Sequence, residues 1–271
     1  MEREIITSAQ NPRVKRLIQL QQKSAFRRQE GLFVVEGARE LLHCLHSGYE
    51  VETMFYCPEI LRAYEGSAEI LALARDGMGQ EVSAKVYGRM AYREGTEGVV
   101  AVMRVKQLGL ADLRLPKDPL VVVLERVEKP GNLGAVLRSA DAAAADAVIV
   151  CDPLTDLFNP NLIRSSIGAV FTVPTVACAS EECIAFLKER GIQILTAQLQ
   201  DSRLYYDTDM SRGTAIVMGT ESTGLTNVWR DAADAHIRIP MKGRLDSLNV
   251  SVSAAILLFE AVRQRESQSG Q

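Results

Sequence analysis

Hydrophobic positions along this chain fall into alternating helix-like and strand-like periods. Val14, Leu17 and Ile18 follow the i, i+3, i+4 spacing of one helix face and predict an amphipathic helix over 11–29. Leu32-Phe-Val-Val35 reads as a short buried strand. A helix over 37–47, stopped by Gly48, leads to a second strand over 51–57. A further helix is predicted over 60–75, where Asp76-Gly-Met-Gly79 breaks it. A strand over 98–105 completes a small α/β module across 1–106. Residues 107–118 hold Gly109, Pro116, Lys117 and Asp118 and read as a linker.

Beyond the linker the strands become wholly apolar. Leu120-Val-Val-Val-Leu124 has no polar position, as expected of a strand covered on both faces. A helix over 132–145, a strand over 147–150, a helix over 161–168 and a strand over 170–173 follow. Then come a helix over 181–190 and a strand over 192–195, with Val217 and Ile239 marking two more strands. Val252, Ala255, Ile256, Phe259 and Val262 form an apolar stripe on the last helix. This alternation predicts an α/β domain over 119–265, a parallel sheet with helices on both faces. Residues 266–271 are expected to be a disordered tail.

The 271 residues suit one large domain or two modest ones, and 47% apolar with 24% charged is an ordinary globular balance. No apolar run reaches the roughly 20 residues that span a bilayer. The first residues lack a basic region followed by an apolar one, so no signal peptide is expected. The five cysteines contain no CxxC pair and sit in mostly apolar settings, which points to reduced thiols and a cytoplasmic protein. His43, Cys44 and His46 lie close together, but no second ligand cluster follows, and no metal site is expected. Net charge is −3, yet residues 1–29 alone carry +5. Arg13, Lys15, Arg16, Lys23, Arg27 and Arg28 therefore form either a solvated helix face or a local surface for a polyanion such as RNA.

Three segments carry candidate chemistry. Gly219-Thr-Glu-Ser-Thr-Gly224 follows an apolar strand and has the glycine spacing of a phosphate loop, but Leu225-Thr226 stand where Lys-Ser/Thr should be. No G-x-G-x-x-G follows any strand, so the dinucleotide fingerprint is missing too. What remains is a glycine turn bearing one carboxylate, Glu221, at a strand end where α/β sheets bind ligands. Ser247-Leu-Asn249 precedes the last helix and suits an N-cap. Asn132 and Arg138 flank a helix start entered through Pro130-Gly131, and an arginine there is suited to gripping phosphate.

These segments resemble a known family. Pro130-Gly-Asn-Leu-Gly-Ala-Val-Leu-Arg-Ser-Ala140, Val217-Met-Gly-Thr-Glu-Ser-Thr-Gly-Leu225, and Ile239-Pro-Met241 with Ser247-Leu-Asn-Val-Ser-Val252 are similar to the three ordered motifs of the SpoU (TrmH-type) RNA ribose 2′-O-methyltransferases. Arg164-Ser-Ser-Ile-Gly-Ala169 with Pro174 resembles the segment between motifs one and two. Ile6-Thr-Ser-Ala-Gln-Asn-Pro-Arg-Val-Lys-Arg16 and Phe33-Val-Val-Glu-Gly37 resemble the substrate-binding module of many members, which favours ribosomal RNA over transfer RNA. Two positions depart from the pattern. Thr220-Glu221-Ser222 replaces the usual Asn-Glu-Gly, and Ala144 stands where glycine is usual, an expected change of packing only.

The resemblance implies a C-terminal trefoil knot, S-adenosylmethionine as methyl donor, and a homodimer in which Arg138 serves a site completed by the partner. It places Thr196, Gly219, Ile239, Met241 and Leu248 around the cofactor, and Asn132, Arg138, Glu221, Ser247 and Asn249 in the catalytic machinery. The alternative is a non-catalytic RNA-binding or ribosome assembly protein on the same fold.

Overall fold

The computed structural model describes residues 5–92, 97–220, 223–244 and 246–269. Two compact units emerge, 1–106 with 156–172, and 107–155 with 173–271. None of the helices among the described residues is long and apolar enough to cross a membrane.

The first unit opens with α1 (Pro12–Gln22) and α2 (Ser24–Glu30), not with one continuous helix. Lys23 is extended (φ −117°, ψ 107°) and separates them. After β1 (Leu32–Glu36) and α3 (Ala38–His46) come β2 (Val51–Tyr56), α4 (Pro58–Leu61) and α5 (Ser67–Leu73). Here too a predicted single helix is split, because Gly66 takes a left-handed conformation (φ 79°) just before α5. β3 (Gly79–Glu81), α6 (Ala84–Met90) and β4 (Val99–Arg104) complete this stretch. The sheet order is β1-β4-β2-β3, and β4 is antiparallel to both of its neighbours. Val14, Leu17 and Leu20 of α1 are fully buried against the sheet residues Val34, Phe55 and Val100.

The second unit is built on a seven-stranded, wholly parallel sheet. Its elements are β5 (Leu120–Glu125), α7 (Pro130–Ala142) and β6 (Ala147–Cys151). The chain then contributes α8 (Pro160–Ser165) and α9 (Ala169–Thr172) to the first unit. It returns as β7 (Thr175–Cys178), α10 (Ser180–Glu189), β8 (Gln193–Ala197), β9 (Arg203–Leu204), β10 (Thr214–Met218), α11 (Asn227–Ala232), β11 (Ala235–Arg238) and α12 (Val250–Ser269). Strand order is β7-β6-β5-β10-β8-β11-β9, so β10 lies between two strands that precede it in the chain. Every residue of β5, β6 and β10 is buried, which explains their lack of polar alternation. Trp229 of α11 is completely buried in this core and donates from Nε1 to Ser180 Oγ at 3.0 Å.

Several sequence expectations change. Residues 170–173 are not a strand: α9 carries Phe171 onto Phe33 of β1, with ring centroids 5.8 Å apart and Phe158 4.5 Å from the same ring. A four-residue, mostly apolar segment does not distinguish strand from helix by period, and the strand starts only after Pro174. Helix α12 runs to Ser269, through most of the expected disordered tail. Its buried face is Ala254, Leu257, Leu258 and Ala261, while Val252 and Phe259 of the predicted stripe are 46% and 48% exposed.

Ala144 is also more than a packing change. It adopts φ +49°, the left-handed region that costs an L-residue roughly 1–2 kcal/mol. Ala144→Gly is expected to raise stability by up to about 1 kcal/mol, after the larger unfolded-state entropy of glycine is subtracted. A thermal melt of the two proteins checks this, and an unchanged or lower midpoint contradicts it.

Candidate functional site

Neighbouring parallel strands end at the same edge of a sheet, so β10, β8 and β11 deliver three loops to one place. Residues 198–200 follow β8, the glycine turn follows β10, and 239–244 with 246–249 follow β11 and precede α12. Together they enclose a cleft of about 410 Å³, within the range of small-molecule sites. Gly219, Ile239, Met241 and Leu248 all line it, as does Ser247. Asp246 adds a carboxylate to the same wall.

The glycine turn is tightly tied. Gly224 N–H donates to the Thr220 carbonyl at 3.0 Å, Thr223 N–H donates to Thr220 Oγ1 at 3.1 Å, and Gly224 takes φ +67°. A Cβ at Gly219 would run into the Gly224 carbonyl and stand 2.6 Å from the Leu225 nitrogen. Only glycine lets the two arms of this turn pass so closely. Beneath it, the buried carboxylate of Glu125 accepts from Thr226 N–H at 2.9 Å and from Thr226 Oγ1 at 2.6 Å. Glu125 thus clamps the far end of the turn to β5. Sequence reasoning missed it, because its partner lies 101 residues away.

Two residues that line the cleft each carry a buried polar atom, Gln198 Oε1 and Arg230 Nε, with no hydrogen bond among the described residues. An unpaired buried polar group costs about 1–3 kcal/mol. Both atoms are shielded from the cleft in this arrangement, so a ligand reaches them only if these side chains turn.

The remaining predicted residues divide into three sets. Asn249 caps α12, its Oδ1 accepting from Ser251 N–H at 2.9 Å, while its Nδ2 donates to Asn132 Oδ1 at 3.2 Å. The cap and the inter-loop contact are both present. Thr196 does not line the cleft. It is fully buried beneath it, its Oγ1 2.6 Å from His236 Nδ1. Arg138 is exposed on α7, six residues and so about 9 Å of helix beyond Asn132, and is not among the residues lining the cleft. Among the described residues its guanidinium makes no hydrogen bond or ion pair, and Glu221 lies outside the described residues.

The basic face is narrower than predicted. Arg27 is 4% exposed, pairs with Asp156 at 2.7 Å, and donates to the Leu20 and Gln21 carbonyls. It is a core residue, turned inward by the break at Lys23. Arg16 is shared between Glu30 and Glu52, and Arg13 donates to Gln80 Oε1 at 2.7 Å. Lys15, Lys23 and Arg28 are exposed and unengaged among the described residues.

The chain resembles known proteins along most of its length. Residues 119–259 match the model of the SpoU rRNA Methylase family, and 11–101 match the MRM3-like substrate binding domain. The 23S rRNA (uridine(2479)-2′-O)-methyltransferase of Streptomyces viridochromogenes is 32% identical over 88% of this chain and 85% of its own length. The 23S rRNA (guanosine-2′-O-)-methyltransferase RlmB of Vibrio vulnificus is 38% identical over 69% of this chain and 78% of its own. Among solved structures, an AdoMet-bound rRNA methyltransferase from Sinorhizobium meliloti superposes with a TM-score of 0.86 at 32% identity, covering 96% of this chain and 97% of that one. With its three ordered motifs gathered at one sheet edge, the chain belongs to the SpoU rRNA methylase family.

Proposed function

We propose that this protein methylates a ribose 2′-hydroxyl of ribosomal RNA with S-adenosylmethionine as donor. The cleft at the ends of β8, β10 and β11 carries the reading. It is lined by four of the five residues expected around the cofactor. Its apolar members, Ile239, Met241 and Leu248, suit the faces of an adenine ring, and backbone groups of the turns suit its edge. The relatives act on a uridine and on a guanosine, so the acceptor they share is the ribose and not a base.

When bound, the donor supplies a methyl group already activated on a sulfonium. The protein then has to hold the ribose in line and favour loss of its hydroxyl proton. Arg138 is assigned to the developing alkoxide and an adjacent phosphate, because a guanidinium stays protonated and cannot itself be the base. The Asn132–Asn249 bond fixes the start of α7 to the start of α12, and Ser247 and Glu221 complete this set. Thr196 acts from below, through His236, as a positioning residue. Lys15, Lys23 and Arg28, with the Arg13 and Arg16 guanidinia nearby in sequence, are assigned to the RNA backbone. The trefoil knot belongs to this reading, and its support is the insertion of β10 between β5 and β8 before the chain crosses to β11.

The active form in this reading is a homodimer. Val252, Ala255, Ile256, Phe259 and Val262 recur at one-face spacing on α12 and face away from its buried side. Arg138, remote from the lining of its own cleft, is then supplied to a site shared between two copies. Phe259→Asp is expected to shift the protein from dimer to monomer in sedimentation velocity and to lower activity with it. A wild-type protein that sediments as a fully active monomer contradicts the dimer.

The function is tested by calorimetry with S-adenosylmethionine, followed by transfer of labelled methyl to ribosomal RNA. Binding and transfer are expected. Absence of cofactor binding, with RNA binding retained, would favour the non-catalytic alternative.

A further inference from the structure

We propose that Cys151, Cys178 and Cys183 form a second site in the methylase domain, for a thiophilic divalent metal ion of the zinc class. Their sulfurs all lie within 4.8 Å of one another. The three residues come from three elements. Cys151 ends β6, Cys178 ends β7, and the two are direct partners in the parallel register. Cys183 sits in the first turn of α10, its N–H bonded to the Ala179 carbonyl at 3.1 Å.

The surrounding backbone is braced. Asp152 N–H donates to the Cys178 carbonyl at 2.9 Å, Ser180 Oγ donates to Asp152 Oδ2 at 2.6 Å, and the buried Trp229 indole donates to Ser180 Oγ. The sulfurs are therefore carried by a rigid frame and not by mobile loops.

Zinc–sulfur bonds of about 2.3 Å place thiolates about 4 Å apart. Three sulfurs no more than 4.8 Å apart reach that geometry by shifts of about half an ångström each. Cys151 and Cys183 are fully buried, while Cys178 is partly exposed, so the fourth position of a tetrahedron opens toward solvent on the Cys178 side. Three thiolates around a divalent ion leave one net negative charge, and the N-terminal end of the ten-residue α10 lies beside it. A disulfide between any two of the three would leave the third thiol with no covalent partner, whereas coordination uses all three. β5 separates β6 from β10, so this site is distinct from the cleft and its existence does not depend on the proposed methyl transfer.

The experiment is a titration of the full chain, kept reduced by a phosphine, with Cd(II) and then with Zn(II). Expected are one Cd(II) per chain, a thiolate-to-cadmium absorption band with the intensity of three thiolates, and a rise in the thermal midpoint on adding Zn(II). Cys183→Ser and Cys178→Ser should each reduce the band by at least a third and remove the Zn(II)-dependent midpoint shift. Cys178 is the less buried of these two, so its variant keeps the test decisive if Cys183→Ser does not fold. Cys44→Ser, in the other unit, should leave both signals intact. A wild-type band worth two thiolates or fewer, no metal-dependent shift, or a full band in Cys178→Ser overturns the proposal.

Discussion

Arg138→Ala is expected to slow methyl transfer by roughly two to three powers of ten while cofactor affinity stays within about twofold of wild type. The expectation follows from position. Arg138 is not a lining residue of the cleft, and among the described residues no hydrogen bond or ion pair holds it. Its loss therefore removes no packing and no cofactor contact. In the proposed mechanism it removes a positive charge at an oxygen that becomes anionic only as the proton leaves, and such a group acts on the transition state far more than on the ground state. Calorimetry with S-adenosylhomocysteine and single-turnover methylation, run on the same preparations, separate the two effects. Arg138→Lys keeps the charge but not the planar fork, so partial recovery is expected. A variant with wild-type turnover would remove Arg138 from the mechanism.

Gly219→Ala should act in the opposite way, on the cleft itself. One methyl group placed there meets the Gly224 carbonyl and the Leu225 nitrogen, both backbone, so no rotamer change relieves the clash. The turn must open. It is tied at one end by Thr220 and Thr223 and at the other by the Glu125–Thr226 clamp, so opening breaks bonds that hold this wall of the cleft. Overpacking of this kind costs about 1–3 kcal/mol, equivalent to a loss of about fivefold to about 150-fold in cofactor affinity if the strain falls on binding. Calorimetry measures the affinity and a thermal melt measures how much strain the fold absorbs. Wild-type values in both would mean that the turn tolerates a Cβ and that its close approach does not require glycine.

The two halves of the site differ in how openly the sequence declares them. The turn at 219–224 and the cap at Asn249 are local. Glycine and asparagine are required there by the geometry of a few consecutive residues, and the apolar strands before them are continuous because both faces are covered. Such features are legible in one dimension. Glu125, Gln198 and Arg230 are not, since their meaning depends on which atoms arrive from elsewhere: Thr226 for the first, and, among the described residues, no hydrogen bond for Oε1 and Nε of the other two. The three cysteines escape for the same reason, since Cys151 and Cys178 become neighbours only through strand register. Arg27 shows the opposite error. Its charge is plain in the sequence, but the break at Lys23 that turns it toward Asp156 lies inside an unbroken helical pattern. Helix α12 is apolar on both sides, Ala254, Leu257, Leu258 and Ala261 on the buried one and Val252 and Phe259 on the exposed one, so periodicity does not say which side meets the core.

The most direct test of the account is to incubate purified protein with unmodified ribosomal RNA and S-adenosylmethionine carrying a labelled methyl group, digest the product to nucleosides, and identify which one holds the label. A single 2′-O-methylated nucleoside is the predicted result, with the label lost in Arg138→Ala. Label on a base, or no label from protein that binds the cofactor and the RNA, would contradict it.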